Sequence, residues 1–318
     1  MGSKGFRAPG NLIEITALFD SIDAVNTLSC IGFAILSAVL PASAVTVVND
    51  GFEVGTHPTG FRTVVTPGSG GVAYYGSSGL PAISLGMDAG MGSNALLVTP
   101  TANHQVVAPL GGSINLNSVG DFANLSFRIR SLNTSASEVG AFRFGLHGSN
   151  TPATGDNFTT VTDDDFGYYA ILGYVSSNAG TAAGSAFLYE EGIGTLATPI
   201  LGGGDRVGLV ATTAGAGPLI ASGNTAVHTV NFRLDRTASG VQISYSFDGG
   251  TTFSATDTAT LRTSFSQISL SNGFTSTFSQ YAIDDLLLEA SNFTPIPEPT
   301  VAGLAGLGLL ALLKRRRA

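Results

Sequence analysis

Val230-Asn-Phe-Arg-Leu-Asp-Arg-Thr-Ala-Ser-Gly-Val-Gln-Ile-Ser-Tyr-Ser-Phe-Asp-Gly-Gly250 is the stretch of this chain that decides its fold class. Apolar and polar residues alternate from Val230 to Leu234, and they alternate again from Val241 to Phe247. A period of two is typical of a β-strand with one buried and one wet face. Thr237-Ala-Ser-Gly240 has the composition of a tight turn. The stretch therefore predicts two antiparallel strands joined as a hairpin.

The same alternation recurs in the body of the chain, at residues 125–130 and 142–146. The intervening segments are rich in Gly, Ser, Thr and Asn, and none shows a period of 3.6 that would indicate a helix. Several short strands separated by turn signals are typical of antiparallel sandwiches. We therefore predict that residues 45–294 form one all-β domain, an antiparallel jelly-roll β-sandwich.

The charge of the body excludes one class of partner. Residues 45–294 contain eight arginines, no lysine and 18 acidic residues, which gives a net charge of −10. Such a charge repels phosphate backbones, so nucleic-acid binding is not expected. The single cysteine, Cys30, precedes the body, so the domain is predicted to have no disulfides.

The N-terminal segment has the pattern of a secretory signal. A ten-residue apolar run, Ile31 to Leu40, is followed by Pro41-Ala-Ser-Ala44. This order predicts a signal helix and cleavage after Ala44, with Ala42 and Ala44 as the small residues of the cleavage site. The alternative is a buried helix of a soluble domain. Residues 1–44 are accordingly interpreted as a leader.

Residues 295–318 have three parts in a fixed order. Pro297-Glu298-Pro299 comes first, and proline keeps this element extended. An uncharged run from Val301 to Leu313 follows, whose 13 residues are short of the roughly 20 that span a bilayer as a helix. Four cations close the chain: Lys314, Arg315, Arg316 and Arg317. The positive-inside bias would keep these cations on the cytoplasmic side of a membrane.

This tail resembles the PEP-CTERM sorting signal of exopolysaccharide-producing Gram-negative bacteria. The resemblance implies that an exosortase recognises Pro297, Glu298 and Pro299 and processes the protein at the cell envelope. It also implies passage through the export machinery and transient anchoring of a short C-terminal hydrophobic helix in the membrane. The alternative is an ordinary C-terminal membrane anchor.

The two ends of the body resemble the terminal strands of jelly-roll carbohydrate-binding modules. The matching stretches are Val47-Val-Asn-Asp-Gly-Phe-Glu-Val-Gly55 and Tyr281-Ala-Ile-Asp-Asp-Leu-Leu-Leu288. In those modules the two strands lie side by side, and carboxylates from both often hold a structural Ca²⁺. The resemblance implies a calcium site formed by Asp50, Glu53, Asp284 and Asp285, since calcium prefers oxygen ligands. The alternative is that Asp284 is solvated and Asp285 pairs with an arginine.

The strand pair at 228–248 is similar to concanavalin-like, laminin-G-type sandwiches, which suggests a polysaccharide partner. The chain has no tryptophan, so sugars would stack on tyrosines. The candidate platforms are adjacent pairs: Tyr74, Tyr75, Tyr168 and Tyr169. In an adjacent pair one ring normally faces the core, so the alternative is a packing role.

The sequence carries no recognisable catalytic constellation. Its four histidines, at positions 57, 104, 147 and 228, lack metal-ligand spacing. Glu190-Glu191 does not match the alternating acidic motif of concanavalin-like hydrolases, and Asp163-Asp164-Asp165 with Asp156 lacks the spacing of an EF-hand loop. The sequence thus predicts a secreted, non-catalytic surface or matrix protein. The alternatives are a carbohydrate-binding protein for the matrix polysaccharide and an extracellular glycan hydrolase or lyase.

Overall fold

The computed structural model describes residues 43–53, 72–77, 82–99, 105–132, 140–155, 165–175, 188–192, 206–209, 219–221, 223–272 and 280–295. All of them belong to one compact unit, Ala42–Ala318. Within these ranges the chain forms strands and connecting turns, with no helix. No helix long and apolar enough to cross a bilayer occurs among them. The signal run, Ala42, the Pro-Glu-Pro element and the basic tail lie outside these ranges.

Seventeen strands make up the described part of the domain. In chain order they are β1 Val45–Asp50, β2 Tyr75–Gly76, β3 Ala82–Asp88, β4 Ser93–Thr99, β5 Gln105–Asn115, β6 Phe122–Ser131, β7 Gly140–Gly148, β8 Phe166–Val175, β9 Leu188–Glu191, β10 Arg206–Gly208, β11 Leu219–Ala221, β12 His228–Arg236, β13 Val241–Phe247, β14 Phe253–Asp257, β15 Ser264–Asn272, β16 Tyr281–Ala290 and β17 Phe293–Pro295.

The strands form two sheets, which confirms the predicted antiparallel jelly-roll sandwich. The eight-stranded sheet has the order β14-β13-β12-β6-β16-β4-β3, with β1 beside β16. The nine-stranded sheet has the order β10-β9-β8-β7-β15-β5-β17, with β2 beside β5 and β11 beside β8. Every described pairing is antiparallel except that of β11 with β8. Several neighbouring strands, such as β6 beside β16 and β7 beside β15, are far apart in sequence. This order is typical of sandwiches in which the chain crosses from one sheet to the other between strands.

The core fills the space between the inner faces of the two sheets, and the predicted apolar stripes supply it. Leu125, Phe127 and Ile129 of β6 face inward from one sheet, and Phe142 and Phe144 of β7 face inward from the other. These side chains are 0–1% exposed. The intervening residues of β6 are half-buried on the outer face, as the period of two requires.

The hairpin predicted from the opening stretch is confirmed. Strands β12 and β13 pair in register from Val230 opposite Phe247 to Arg236 opposite Val241. The turn is closed because the Thr237 N–H donates to the carbonyl of Gly240 at 2.8 Å. Gly240 has no room for a side chain, since a Cβ there would lie 1.9 Å from the Asp257 carbonyl oxygen. The turn thus lets β14 approach the hairpin closely.

Both ends of the body are held in the sandwich. Strand β1 pairs with β16, which confirms that the two terminal strands lie side by side. Ala44, the predicted cleavage residue, is exposed directly before β1. Strand β17 pairs with β5, with Thr294 opposite Ser113 and Pro295 opposite Gly112. Strand β17 therefore includes Pro295, the first residue of the predicted sorting signal.

Candidate functional site on the outer face of the nine-stranded sheet

The outer face of the nine-stranded sheet carries an unusual set of polar and aromatic side chains. The pairing register places Tyr75 opposite Val107, Val107 opposite Ser269, and Ser269 opposite Gly145. The same transverse row continues through Tyr169 and Tyr189. Because residues directly opposite one another share a face, the row lies on the side away from the inter-sheet core. We call Tyr75, Gln105, His147, Tyr169, Tyr189 and Ser269 the outer-face site.

Tyrosine rings form the apolar part of the outer-face site. The Tyr169 and Tyr189 rings stack nearly parallel, with centroids 5.1 Å apart and an interplanar angle of 11°. The His147 ring also stacks on Tyr169, with ring centroids 6.2 Å apart and an interplanar angle of 29°. Tyr169 is fully buried, whereas Tyr75 and Tyr189 are half-buried and pack against the same small cluster. Tyr75 and Tyr189 are therefore the tyrosines of the outer-face site that keep partial exposure to solvent.

Three buried polar side chains of the outer-face site have no hydrogen-bond partner among the described residues. They are the amide of Gln105, both ring nitrogens of His147 and the hydroxyl of Ser269. All three residues are 0% exposed. Buried polar groups are normally hydrogen-bonded, because leaving one without a partner costs about 1–3 kcal/mol. The three groups lie on the neighbouring strands β5, β15 and β7.

Charged residues flank the site on the same face. Arg143 lies opposite Ser271 and Ile171, and Glu191 lies opposite Gly167. Both are buried. Burial also acts on His147, whose pKa it lowers to about 3, so this imidazole is neutral at ordinary pH. The centre of the site is therefore uncharged, with one cation and one anion at its borders.

Three of the four tyrosines predicted as sugar platforms are buried. Tyr74, Tyr168 and Tyr169 are 0–1% exposed, so their rings cannot serve as exposed platforms. Tyr74 and Tyr168 pack in the inter-sheet core. This is the packing role that the sequence analysis gave as the alternative for one tyrosine of each adjacent pair. Only Tyr75 keeps partial exposure. The sequence interpretation missed Tyr189, because it stands alone between Leu188 and Glu190 and belongs to no tyrosine pair.

The adjacent acids of β9 point to opposite faces of the sheet, so they cannot act together on one substrate bond. Glu190 faces inward, where its Oε1 accepts a hydrogen bond from Arg262 Nε at 2.9 Å. Burial and the nearby Asp257 raise the pKa of Glu190. The Tyr168 hydroxyl donates to Asp257 at 2.6 Å, which completes a closed polar cluster where the sheets meet. This cluster links β8, β9 and β14 with the segment that carries Arg262.

The two histidines that the structure describes lie in different sheets. His147 belongs to the outer-face site. His228 on β12 contacts Asp248 through Nδ1 at 2.7 Å and stacks on Phe247 at 4.8 Å. His57 and His104 lie outside the described residues, as do Asp156, Asp163 and Asp164. Asp165 accepts a hydrogen bond from the Gln267 amide at 3.1 Å.

Two of the four terminal-strand carboxylates pair with one arginine. Arg128 on β6 contacts Asp284 through Nη2 at 2.5 Å and Asp285 through Nε at 2.7 Å. Asp284 is 1% exposed, so the expectation that it is solvated is wrong. The pairing of Asp285 with an arginine is confirmed. Asp285 sits at a bulge in the pairing of β16 with β6 and has a φ of +48°, a conformation that strains most side chains.

The two buried acids use their oxygens within the protein. Asp50 accepts from the Phe52 N–H at 2.9 Å and from the Tyr74 hydroxyl at 3.1 Å. Asp284 accepts from Arg128, from the Ser93 hydroxyl and from the Asp285 N–H. Among the described residues, no group of three or more His, Cys, Asp or Glu is arranged to hold a metal ion. The four acids together therefore fit calcium poorly, and the calcium site stays a prediction that depends on Glu53 and Asp285.

Glu53 and Asp285 lie on either side of Gly51, since a Cβ built there would be 4.0 Å from Glu53 Cγ and 4.0 Å from Asp285 Oδ1. A site with two carboxylates binds calcium weakly, with millimolar affinity. We expect 10 mM calcium to raise the unfolding temperature of the protein by about 4 °C over EDTA, as for a ligand at about ten times its dissociation constant.

The matched variant for this calcium experiment is Asp285→Asn, because asparagine tolerates a positive φ while it removes the charge. The rise should disappear in this variant, and magnesium should not reproduce it. A calcium effect of the same size in Asp285→Asn, or no effect in the unchanged protein, would contradict the prediction.

Comparisons with known proteins find distant structural similarities. The chain is similar to peanut lectin, at 10% identity and a TM-score of 0.41, over 80% of this chain and 100% of that one. A protein with a galectin-like fold from Bacillus subtilis is 9% identical, with a TM-score of 0.41 over 68% and 89% of the two chains. A carbohydrate esterase from bacteriophage phi24B is 14% identical, with a TM-score of 0.39 over 79% and 100%. No protein-family model and no curated protein matches the chain. Similarity this distant carries no information about a ligand.

Proposed function

We propose that this protein binds carbohydrate, without catalysis, through the outer-face site. The observation that carries the proposal is the pair of half-buried tyrosines, Tyr75 and Tyr189, which lie in one row on the outer face and keep partial exposure to solvent. Saccharides have apolar C–H faces that stack on aromatic rings and hydroxyls that both donate and accept hydrogen bonds. A site for them therefore needs rings and neutral polar groups side by side, which is the composition of the outer-face site.

The closed packing of the acidic residues favours binding over hydrolysis. A glycosidase places two carboxyl groups across a cleft, with one on each side of the scissile bond. Here Glu190 is paired with Arg262 on the inner face, and Glu191 lies on the outer face. Asp257 lies near Glu190, but it accepts a hydrogen bond from the Tyr168 hydroxyl within the same buried cluster. A hydrolase or lyase role has no comparable support.

We further propose that the protein acts outside the cytoplasm, as a component of the cell envelope or extracellular matrix. The leader and the PEP-CTERM-like tail, residues 1–44 and 295–318, support this location. Replacement of Pro297, Glu298 and Pro299 by alanine should change the amount of protein that fractionates with the envelope. An unchanged distribution would contradict sorting by this element.

Tyr189 gives the most direct test of carbohydrate binding. We expect Tyr189→Ala to weaken binding of a retained polysaccharide by about ten-fold, because loss of one stacking ring costs about 1.4 kcal/mol. Tyr189→Phe keeps the ring and should bind nearly as the unchanged protein does. The measurement is a glycan array followed by titration calorimetry with the full-length protein.

A matched control for Tyr189→Ala is Phe253→Ala, which removes a half-buried ring from the edge strand β14 of the other sheet. Its affinity should not change. Equal losses in the two variants would point to general destabilisation, and no binding to any glycan would overturn the proposed function.

A further inference from the structure

A cluster of four polar side chains joins the two sheets beside the edge strand β14. Tyr168 on β8 and Glu190 on β9 belong to the nine-stranded sheet, whereas Asp257 is the last residue of β14 in the eight-stranded sheet. Arg262 lies in the segment between β14 and β15. We call these four residues the edge cluster. Because its members come from both sheets, its stability bears on how firmly the sheets are held together there.

Three hydrogen bonds connect the members of the edge cluster. The Tyr168 hydroxyl donates to Asp257 Oδ2 at 2.6 Å, and it accepts from the Arg262 backbone N–H at 3.0 Å. Arg262 Nε donates to Glu190 Oε1 at 2.9 Å. Each of these bonds ties β8 or β9 to β14 or to the segment that follows β14. The edge cluster is therefore a polar connection from one sheet to the other.

The edge cluster contains more negative than positive groups. Glu190 is 5% exposed and Asp257 is 2% exposed. Among the described residues, Arg262 is the only cation that bonds to either carboxylate. A charge that is removed from water without a partner is costly. Two ionised carboxylates and one guanidinium therefore leave one negative charge uncompensated where the sheets meet.

The groups that face Glu190 act on its charge in opposite directions. They are Tyr168, its cross-strand partner on β8, Asp257 on β14, and Arg262, while the residue opposite Glu190 on β10 is the apolar Val207. Burial and Asp257 raise the pKa of Glu190, and Arg262 offsets only part of this rise. Burial and the hydrogen bond to Asp257 raise the pKa of Tyr168, so its hydroxyl stays protonated. Glu190 is thus the member whose charge can change in mildly acidic surroundings.

We propose that the edge cluster is a pH-sensitive latch between the two sheets, which is tight in mildly acidic surroundings and weaker as the pH rises. When Glu190 takes up a proton, one carboxylate and one guanidinium remain, so the cluster becomes neutral. The folded state favours this proton. Its contribution to stability is therefore fully present below the ordinary glutamate pKa, about 4.3, and is lost as the pH rises through the higher pKa of the folded protein. The latch does not depend on carbohydrate binding.

The test compares the unfolding temperatures of the full-length protein and of Glu190→Gln at about pH 4.5 and about pH 8. Glutamine is uncharged at both pH values, so this variant resembles the protonated state throughout. We expect Glu190→Gln to gain about 2–4 °C relative to the unchanged protein between the lower and the higher pH. Arg262→Met removes the counter-charge and should cost more at the higher pH. Glu289→Gln, on β16 opposite Asn124, is the matched control and should show no such trend.

Carbon NMR gives a second, direct measurement, because the chain contains only seven glutamates. In protein labelled with ¹³C-glutamate, the signal that Glu190→Gln removes should titrate above about pH 4.3. Titration of that signal at or below this pH overturns the latch. So does a difference between Glu190→Gln and the unchanged protein that stays constant or shrinks as the pH rises. The same trend in Glu289→Gln would assign the effect to the net negative charge of the chain and would also overturn the latch.

Discussion

Replacement of Arg128 by methionine is expected to lower the free energy of unfolding by about 3 kcal/mol, because it leaves the buried Asp284 carboxylate without its counter-charge. Arg128 and Asp284 are cross-strand partners on β6 and β16, with Nη2 and Oδ2 2.5 Å apart. The hydroxyl of Ser93 and the Asp285 N–H would remain bound to Asp284. These neutral donors cannot offset a full negative charge in the interior.

The measurement for Arg128→Met is urea unfolding, with the midpoint lowered and the slope unchanged. Arg233→Met is the matched control, because Arg233 forms an ion pair with Asp235 at 2.7 Å in which both partners are partly exposed. An exposed pair contributes about 0–1 kcal/mol, so this variant should lose little stability. Addition of Asp284→Asn to Arg128→Met should recover part of the loss. Equal losses of unfolding free energy in the Arg128 and Arg233 variants would contradict the prediction, because they would show that burial of Asp284 adds nothing to the cost.

Replacement of Phe144 by alanine is expected to lower the free energy of unfolding by about 3–5 kcal/mol. Phe144 stands at the centre of an aromatic cluster that joins the two sheets. Its ring makes edge contacts with Phe127, Phe232 and Tyr245 of the eight-stranded sheet at 5.3 Å, 6.0 Å and 5.3 Å. Alanine would leave a cavity that rings on two rigid sheets cannot close.

Calorimetry should show the loss at Phe144 as a fall in unfolding temperature of about 10 °C, from about 2–4 °C for each kcal/mol in a domain of this size. Phe144→Leu should cost less because it leaves a smaller cavity. Phe293→Ala, at a half-buried ring on the edge strand β17, should also cost less. A fall at Phe144 no larger than that at Phe293 would mean that the core can repack around the missing ring.

The strands and their inward faces could be predicted from the sequence because both depend on neighbouring residues. The alternation in Val241 to Phe247 fixes which side of that strand is apolar, whatever the strand pairs with. Thr237 and Gly240 belong to a short turn that forms its hydrogen bonds between its own residues. The side-by-side placement of β1 and β16 could be proposed from resemblance, and the structure confirms it.

The fate of the adjacent tyrosines and acids could not be predicted in the same way. Alternation predicts that Tyr168 and Tyr169 point to opposite faces, and they do. It does not reveal that the outer face around Tyr169 is buried as well. Nor does it reveal that Arg128, 156 residues before Asp284, supplies the charge that two adjacent aspartates need.

By itself the sequence determined an acidic, lysine-free, all-β body with short amphipathic strands, since composition and a period of two are local properties. The tertiary structure alone decided the outer-face site, whose buried polar residues Gln105, His147 and Ser269 come from three strands far apart in the chain. Strand order and register set which distant residues become neighbours. They result from how two sheets close over one shared core, and no short stretch of sequence contains that information.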